Sequence, residues 1–143
     1  AVSPPPFNDN CDGANNVDVV VGGSAVIVNG DGTGATAGQF GNPQVWESFT
    51  LDACADSVIL DFCGSAPAAG GLFLLLYDVC PVVVGEPAFT GAFFTSDCAD
   101  ANPSALFTDV EAGTYWYPVI ADTAVAGGYE AYTMSITAIP CPT

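Results

Sequence analysis

Short runs of β-branched and aromatic residues, each cut off by Gly, Pro, Asn or Asp, recur along the whole of this chain, and helical periodicity is hard to find in any of them. Such punctuation favours strands. The runs read as Val17–Val21, Ala25–Asn29, Val45–Leu51, Ser57–Phe62, Leu72–Tyr77, Ala92–Thr95, Ser104–Phe107, Thr114–Ala121 and Tyr129–Ile139. In the last of these, Tyr132, Met134 and Ile136 alternate with Thr133, Ser135 and Thr137, so one face is buried and the other wet. Leu72 to Tyr77 is apolar on both faces and belongs at the centre of a sheet or under another element. Glu47 breaks the pattern, because it shares parity with Val45, Phe49 and Leu51. It is placed at a sheet margin, the alternative being that Trp46 marks the inner face. Gly22-Gly23 is expected to join the first two strands as a tight hairpin, since Gly accepts the positive φ such turns need.

Nine strands in 143 residues predict an all-β fold: a single two-sheet β-sandwich of jelly-roll or related Greek-key type. Gly30 to Pro43 and Ser65 to Gly71 read as exposed loops. The expected organisation is an N-terminal extended arm, residues 1–10, followed by one domain, residues 11–143.

The interactions available to hold that fold are restricted. Lys, Arg and His are all absent, while the 16 Asp and Glu leave a formal charge of −16. An ordinary chain of this size carries on the order of fifteen Lys and Arg, so it is the bases that are missing. No salt bridge can form except to the terminal amine; packing, backbone hydrogen bonds and disulfides must supply the stability. Half the residues are apolar, so the acidic charge does not imply disorder. Nucleic-acid binding, which needs cations to displace phosphate counterions, is excluded as an expectation, as is membrane insertion: anionic lipid repels this surface and no apolar run approaches a membrane span. A chain without Lys or Arg also offers trypsin-like proteases no cleavage site.

The six cysteines, at 11, 54, 63, 80, 98 and 141, include no CxxC and have no His beside them. Zinc spacing is therefore lacking, and disulfides formed in an oxidising compartment are the expectation, which makes the fold disulfide-stabilised and the protein secreted, extracellular or at the cell surface. The start at Ala1 reads as a mature secreted protein or an excised domain. Cys80 and Cys98 flank one excursion between strands taken as neighbours and are expected to pair. Cys54 and Cys63 bracket a six-residue strand about 20 Å long, too far for each other, so their partners lie elsewhere, with Cys11 and Cys141 among the candidates.

Seven segments in order resemble the bacterial pre-peptidase C-terminal (PPC)-like β-sandwich domains of secreted proteins: NDNCDGA (8–14), GATAG (34–38), VWESFT (45–50), CADSVILDFCGS (54–65), LLLYDVC (74–80), AGTYWYPV (112–119) and GYEAYTMSIT (128–137). The resemblance spans nearly the whole chain and implies a non-catalytic accessory or structural module. The chain departs from it where SAPAAGG and PVVVGEPAFTGAFFTSDC stand in place of acidic turns.

Catalysis finds little to work with. Nucleophile–imidazole mechanisms and Lys chemistry lack their residues, and DGTG (31–34) is not the D-[ST]-G of an aspartic protease. Gly30 to Gly41 has no GK[ST], and Asp31 would repel phosphate. No catalytic residue is assigned, and no cofactor is required. Asn8, Asp9, Asn10 and Asp12 fit the opening of a calcium loop, with Gly13 for the sharp turn, although Val19 stands where the closing Glu belongs. The same stretch also reads as a latch in which Asn and Asp cap a turn, Phe7 plugs an edge and Cys11 is bonded in place. Trp46 and Trp116 read as packing residues ahead of sugar-stacking ones.

The leading expectation is a self-assembling subunit of a surface or extracellular fibre, associating through the N-terminal arm and residues 82–94. The alternative is a calcium- or carbohydrate-binding accessory domain of a larger secreted enzyme or adhesin.

Overall fold

The computed structural model describes residues 7–8, 10–31, 44–61, 75–81, 89–90, 92–95, 103–120 and 131–142. Among the described residues, a 3-10 turn at Cys11–Gly13 is followed by ten strands: β1 (Asn15–Val19), β2 (Val26–Asp31), β3 (Gln44–Leu51), β4 (Ala55–Asp61), β5 (Leu75–Leu76), β6 (Phe89–Thr90), β7 (Ala92–Thr95), β8 (Pro103–Val110), β9 (Gly113–Ile120) and β10 (Ala131–Pro140). They form a two-sheet β-sandwich. One sheet has the order β1-β3-β9 and the other β2-β10-β4-β8-β7. The β5-β6 ribbon is joined to β9 by the Tyr77–Trp116 bridge.

Alternation builds the core. Val45, Phe49 and Leu51 of β3 and Tyr115, Tyr117 and Val119 of β9 face Val58 and Leu60 of β4, Ala105 and Phe107 of β8, and Met134, Ile136 and Ala138 of β10. The Tyr117 hydroxyl crosses between the sheets to donate to Met134 Sδ at 3.3 Å. On β10, Thr133, Ser135 and Thr137 are only half-buried, as its alternation predicts. Leu76 and Tyr77 are both fully buried, in keeping with a run apolar on both faces; Leu72–Leu74 lie outside the described residues.

One connection differs from expectation. β1 and β2 do not form a hairpin: β1 runs parallel to β3 in one sheet, while β2 pairs with β10 in the other. Each strand has to present its apolar residues to the same core from opposite sides, so the link between them is a corner. The Gly23 N–H donates to the Val20 carbonyl, Gly22 adopts φ 82°, and the Gly22 N–H is anchored on the Ala138 carbonyl of β10 at 2.9 Å. A positive φ at the third position of such a turn is what favours glycine there. The chain again changes sheets between β8 and β9, and there the Tyr115 hydroxyl donates to the Glu111 carbonyl four residues back at 2.8 Å, an arrangement of the tyrosine-corner kind.

Cys11 is bonded to Cys80 and Cys54 to Cys141, with Cα separations of 6.0 and 5.6 Å. The expected Cys80–Cys98 pair is therefore corrected. β5, which leads to Cys80, belongs with the β1-β3-β9 side, whereas β7 belongs to the five-stranded sheet, so the excursion between them does not return to a neighbouring strand. Cys54 finds its partner in Cys141 and not across β4, in line with the length of that strand. Cys63 and Cys98 lie outside the described residues.

Candidate functional site

The most individual feature of the molecule is the way its amino-terminal segment is fastened. β1 pairs with β3 only from Glu47 to Leu51, which leaves the Trp46 backbone on that edge to be satisfied by something else. Asn8 does it. Its carbonyl accepts from the Trp46 N–H at 2.8 Å, and its Nδ2 donates to the Trp46 carbonyl at 2.9 Å. The same Nδ2 donates to Glu47 Oε1 at 2.9 Å. Both amide hydrogens of Asn8 are thus used, and the residue is buried. One side chain imitates a strand residue and meets a buried carboxyl group at once.

Glu47 is only 2 % exposed on the inner-face parity of β3, the middle strand of its sheet, so its placement at a sheet margin is corrected. Trp46, on the opposite face, is equally buried. Both faces are covered because the latch packs a second, smaller cluster onto the outside of the three-stranded sheet: Cys11, Trp46 and Tyr77, with Ala14, Cys80 and Trp116 against them. Trp46 and Tyr77 meet edge-on with ring centroids 6.0 Å apart. The Tyr77 and Trp116 backbones exchange two hydrogen bonds of 2.8 Å, and the Cys11–Cys80 bond closes the patch covalently. In a chain with no side-chain cation, a buried carboxyl is satisfied by hydrogen-bond donors such as Asn8.

Gly13 completes the latch. A Cβ there would overlap the Phe7 carbonyl oxygen, so this backbone crossing admits glycine alone. Phe7 does not plug an edge as expected; it is 86 % exposed, and Asn8 is the residue that enters. Asn8, inside the segment expected to be an extended arm, is thus already bonded to the sandwich.

Of the calcium candidates, Asn8 is committed to β3, Asn10 and Asp12 are exposed, and Asp9 lies outside the described residues. Among the described residues no three Asp, Glu, Cys or His side chains come together as a cation site. Replacing Asn8 with Ala removes a donor from a buried carboxyl and from the Trp46 carbonyl, a loss of about 1–3 kcal/mol. Thermal melting is expected to register it, and an unchanged Tm would show that the Asn8 contacts are replaceable. Asn and Glu 39 positions apart carry no local signal, so sequence reasoning could not have joined them.

Burial pushes the Tyr77 hydroxyl above its ordinary value near 10, and burial together with the nearby Glu111 and Asp78 carboxylates does the same for Tyr115. A folded-state value above the unfolded one means that the neutral form stabilises the fold below about pH 10 and that this stability is lost as pH rises through the folded value. With no Lys or Arg to titrate, alkaline unfolding is expected to coincide with tyrosinate absorbance. Full tyrosinate absorbance at a pH where circular dichroism is still native would contradict this.

Trp46 is unavailable to stack on a sugar, and half-buried Trp116 is packed against the same cluster. No helix among the described residues is long and apolar enough to cross a membrane. Comparison with family models, curated proteins and solved structures finds no match to this chain.

Proposed function

We propose that this chain is a non-catalytic structural module of the extracellular space or cell surface, a PPC-like sandwich that self-associates into a fibre. The observation that carries the reading is how the amino-terminal segment is held. Asn8 and Cys11 fix it to β3 and to Cys80, and the next residue outward, Phe7, is left as the most exposed large apolar side chain described. Three prolines precede Phe7 in sequence. Proline-rich segments have little conformational entropy left to lose on docking. A rigid base, an unburied aromatic and a preorganised run together suit an arm that docks on a second copy. Disulfides that tie Cys11 and Cys141 to distant strands suit service outside the cell.

Residues 82–94, the other proposed contact, include β6 and the first three residues of β7, the edge strand of the five-stranded sheet; 82–88 and 91 lie outside the described residues. Self-association has to overcome repulsion between copies at −16, so it should strengthen with salt, which screens charge beyond about 8 Å at physiological ionic strength. Electron microscopy and sedimentation velocity test this. Wild-type material is expected to form oligomers or filaments that increase with salt and concentration, and Phe7→Ser is expected to shift the distribution towards monomer. Monomers alone at high concentration, with salt and with calcium, would remove the reading.

A further inference from the structure

We propose that the outer edge of β2 is a contact surface for a second copy of this chain, the two β2 strands pairing antiparallel about a two-fold axis so that the five-stranded sheets run on into each other. Among the described strands β2 is the outermost of its sheet, paired with β10 alone. In an antiparallel ladder the residues of an edge strand turn their N–H and C=O groups alternately to the neighbour and away from it, so β2 offers a row of backbone donors and acceptors. The short corner from β1 to β2 puts both edges on one flank of the sandwich, and the two differ. β1 shows solvent Asn15, Asn16 and Asp18, polar and charged side chains of the kind that deter edge pairing. β2 has no charge from Val26 to Gly30, and its Ile27 is 61 % exposed. Ile27 is paired with Ser135, and Ile139 lies on that same face of β10 four residues on; Val20 stands in the corner that is anchored on Ala138. Three of the five large apolar side chains described as exposed are therefore on this one flank. Behind them Val17, Val21 and Val26 pack on the core yet stay only partly buried.

Charge selects the occupant. A basic partner is steered to acids, and the chain has none between Asp18 and Asp31. A second copy brings a strand as uncharged as the first, so two molecules at −16 meet where repulsion between them is least. The orientation has the same cause. Parallel pairing would set the Asp31 position beside its counterpart, one strand spacing or about 5 Å away. Antiparallel pairing of the six-residue strands puts the two at opposite ends, about 17 Å apart and beyond the screening length of about 8 Å. Such a contact is isologous and closes as a dimer. It rests on the self-association of the proposed function but not on the arm, which would join one dimer to the next.

Sedimentation velocity across a range of salt and protein concentration, with hydrogen exchange on the same samples, tests the contact. Wild type is expected to show a discrete dimer favoured by salt, in which the β2 amides not bonded to β10 gain protection. Ile27→Asp and Val20→Asp each place a charge at an exposed position; both should keep the wild-type circular dichroism spectrum while weakening the dimer about tenfold or more. In Phe7→Ser the association that remains is expected to be this dimer. Association of both Asp variants at wild-type strength, or a dimer whose β2 amides exchange as in the monomer, would overturn the β2 contact and leave the arm reading standing. A wild type that stops at dimers and forms no longer assembly would count against the fibre and leave the β2 contact standing. Monomers alone at every salt and protein concentration would remove both.

Discussion

Removal of the Cys11–Cys80 and Cys54–Cys141 bonds is expected to leave the protein unfolded or barely folded at physiological temperature. These bonds close loops of 69 and 87 residues, and each is worth about 4–5 kcal/mol in the chain-entropy account. Together they are comparable to the whole stability of an ordinary domain, about 5–15 kcal/mol. Nothing can take their place, because a chain without Lys, Arg or His has no side-chain ion pair to offer. Melting curves with and without a phosphine reductant measure the combined effect. The double variants Cys11→Ala/Cys80→Ala and Cys54→Ala/Cys141→Ala separate the bonds, each with an expected fall in Tm of about 10–20 °C. A double variant that melted within a few degrees of wild type would show that its crosslink is dispensable.

The same bonds decide how far the chain can be drawn out. A pull applied beyond Cys11 at one end and Cys141 at the other enters the covalent short cuts, and the shortest route between them then runs along the backbone from Cys54 to Cys80. Unfolding of the oxidised protein is thereby limited to about 26 residue steps (80 minus 54) of released chain, roughly 90 Å when extended.

Trp46→Ala is expected to be the most damaging single truncation outside the main core. Trp46 is 1 % exposed at the centre of the small outer cluster, between the latch and the three-stranded sheet. Deleting a buried Trp costs about 3–5 kcal/mol. Because its ring packs on Tyr77 and beside the Cys11–Cys80 bond, the loss should be felt first in the latch. Hydrogen exchange should speed up at the Trp46 and Tyr77 amides, whose bonds to Asn8 and Trp116 hold this patch, before it does so in β4 and β10. Trp46→Phe, which keeps an aromatic ring, should retain most of the protection. Uniform loss of protection across both sheets in Trp46→Ala would mean that the outer cluster is not a separable unit.

The strands were legible in the residues because alternation and punctuation are local properties. A period of two places Val45, Phe49 and Leu51 on one side of β3 and Met134 and Ile136 on one side of β10 whatever the rest of the chain does. Ala92–Thr95 was found at its full extent, and β8 ran further than Phe107, to Val110. The composition likewise restricted the means of stabilisation to packing, hydrogen bonds and crosslinks before any fold was known.

Tertiary structure decided what depends on residues far apart in the chain. Two strands joined by Gly22-Gly23 look alike whether they pair with each other or turn a corner between sheets; β3 and β10, which claim their edges, settled it. Cys80 could not choose between Cys11 and Cys98 until β5 had been assigned to one side of the sandwich and β7 to the other. Glu47 looked misplaced because its donor, Asn8, comes from a segment that arrives only once the chain has folded back over β3. Alternation tells a side chain which face of a strand it occupies. Whether that face is covered, and by what, is fixed by contacts between distant segments.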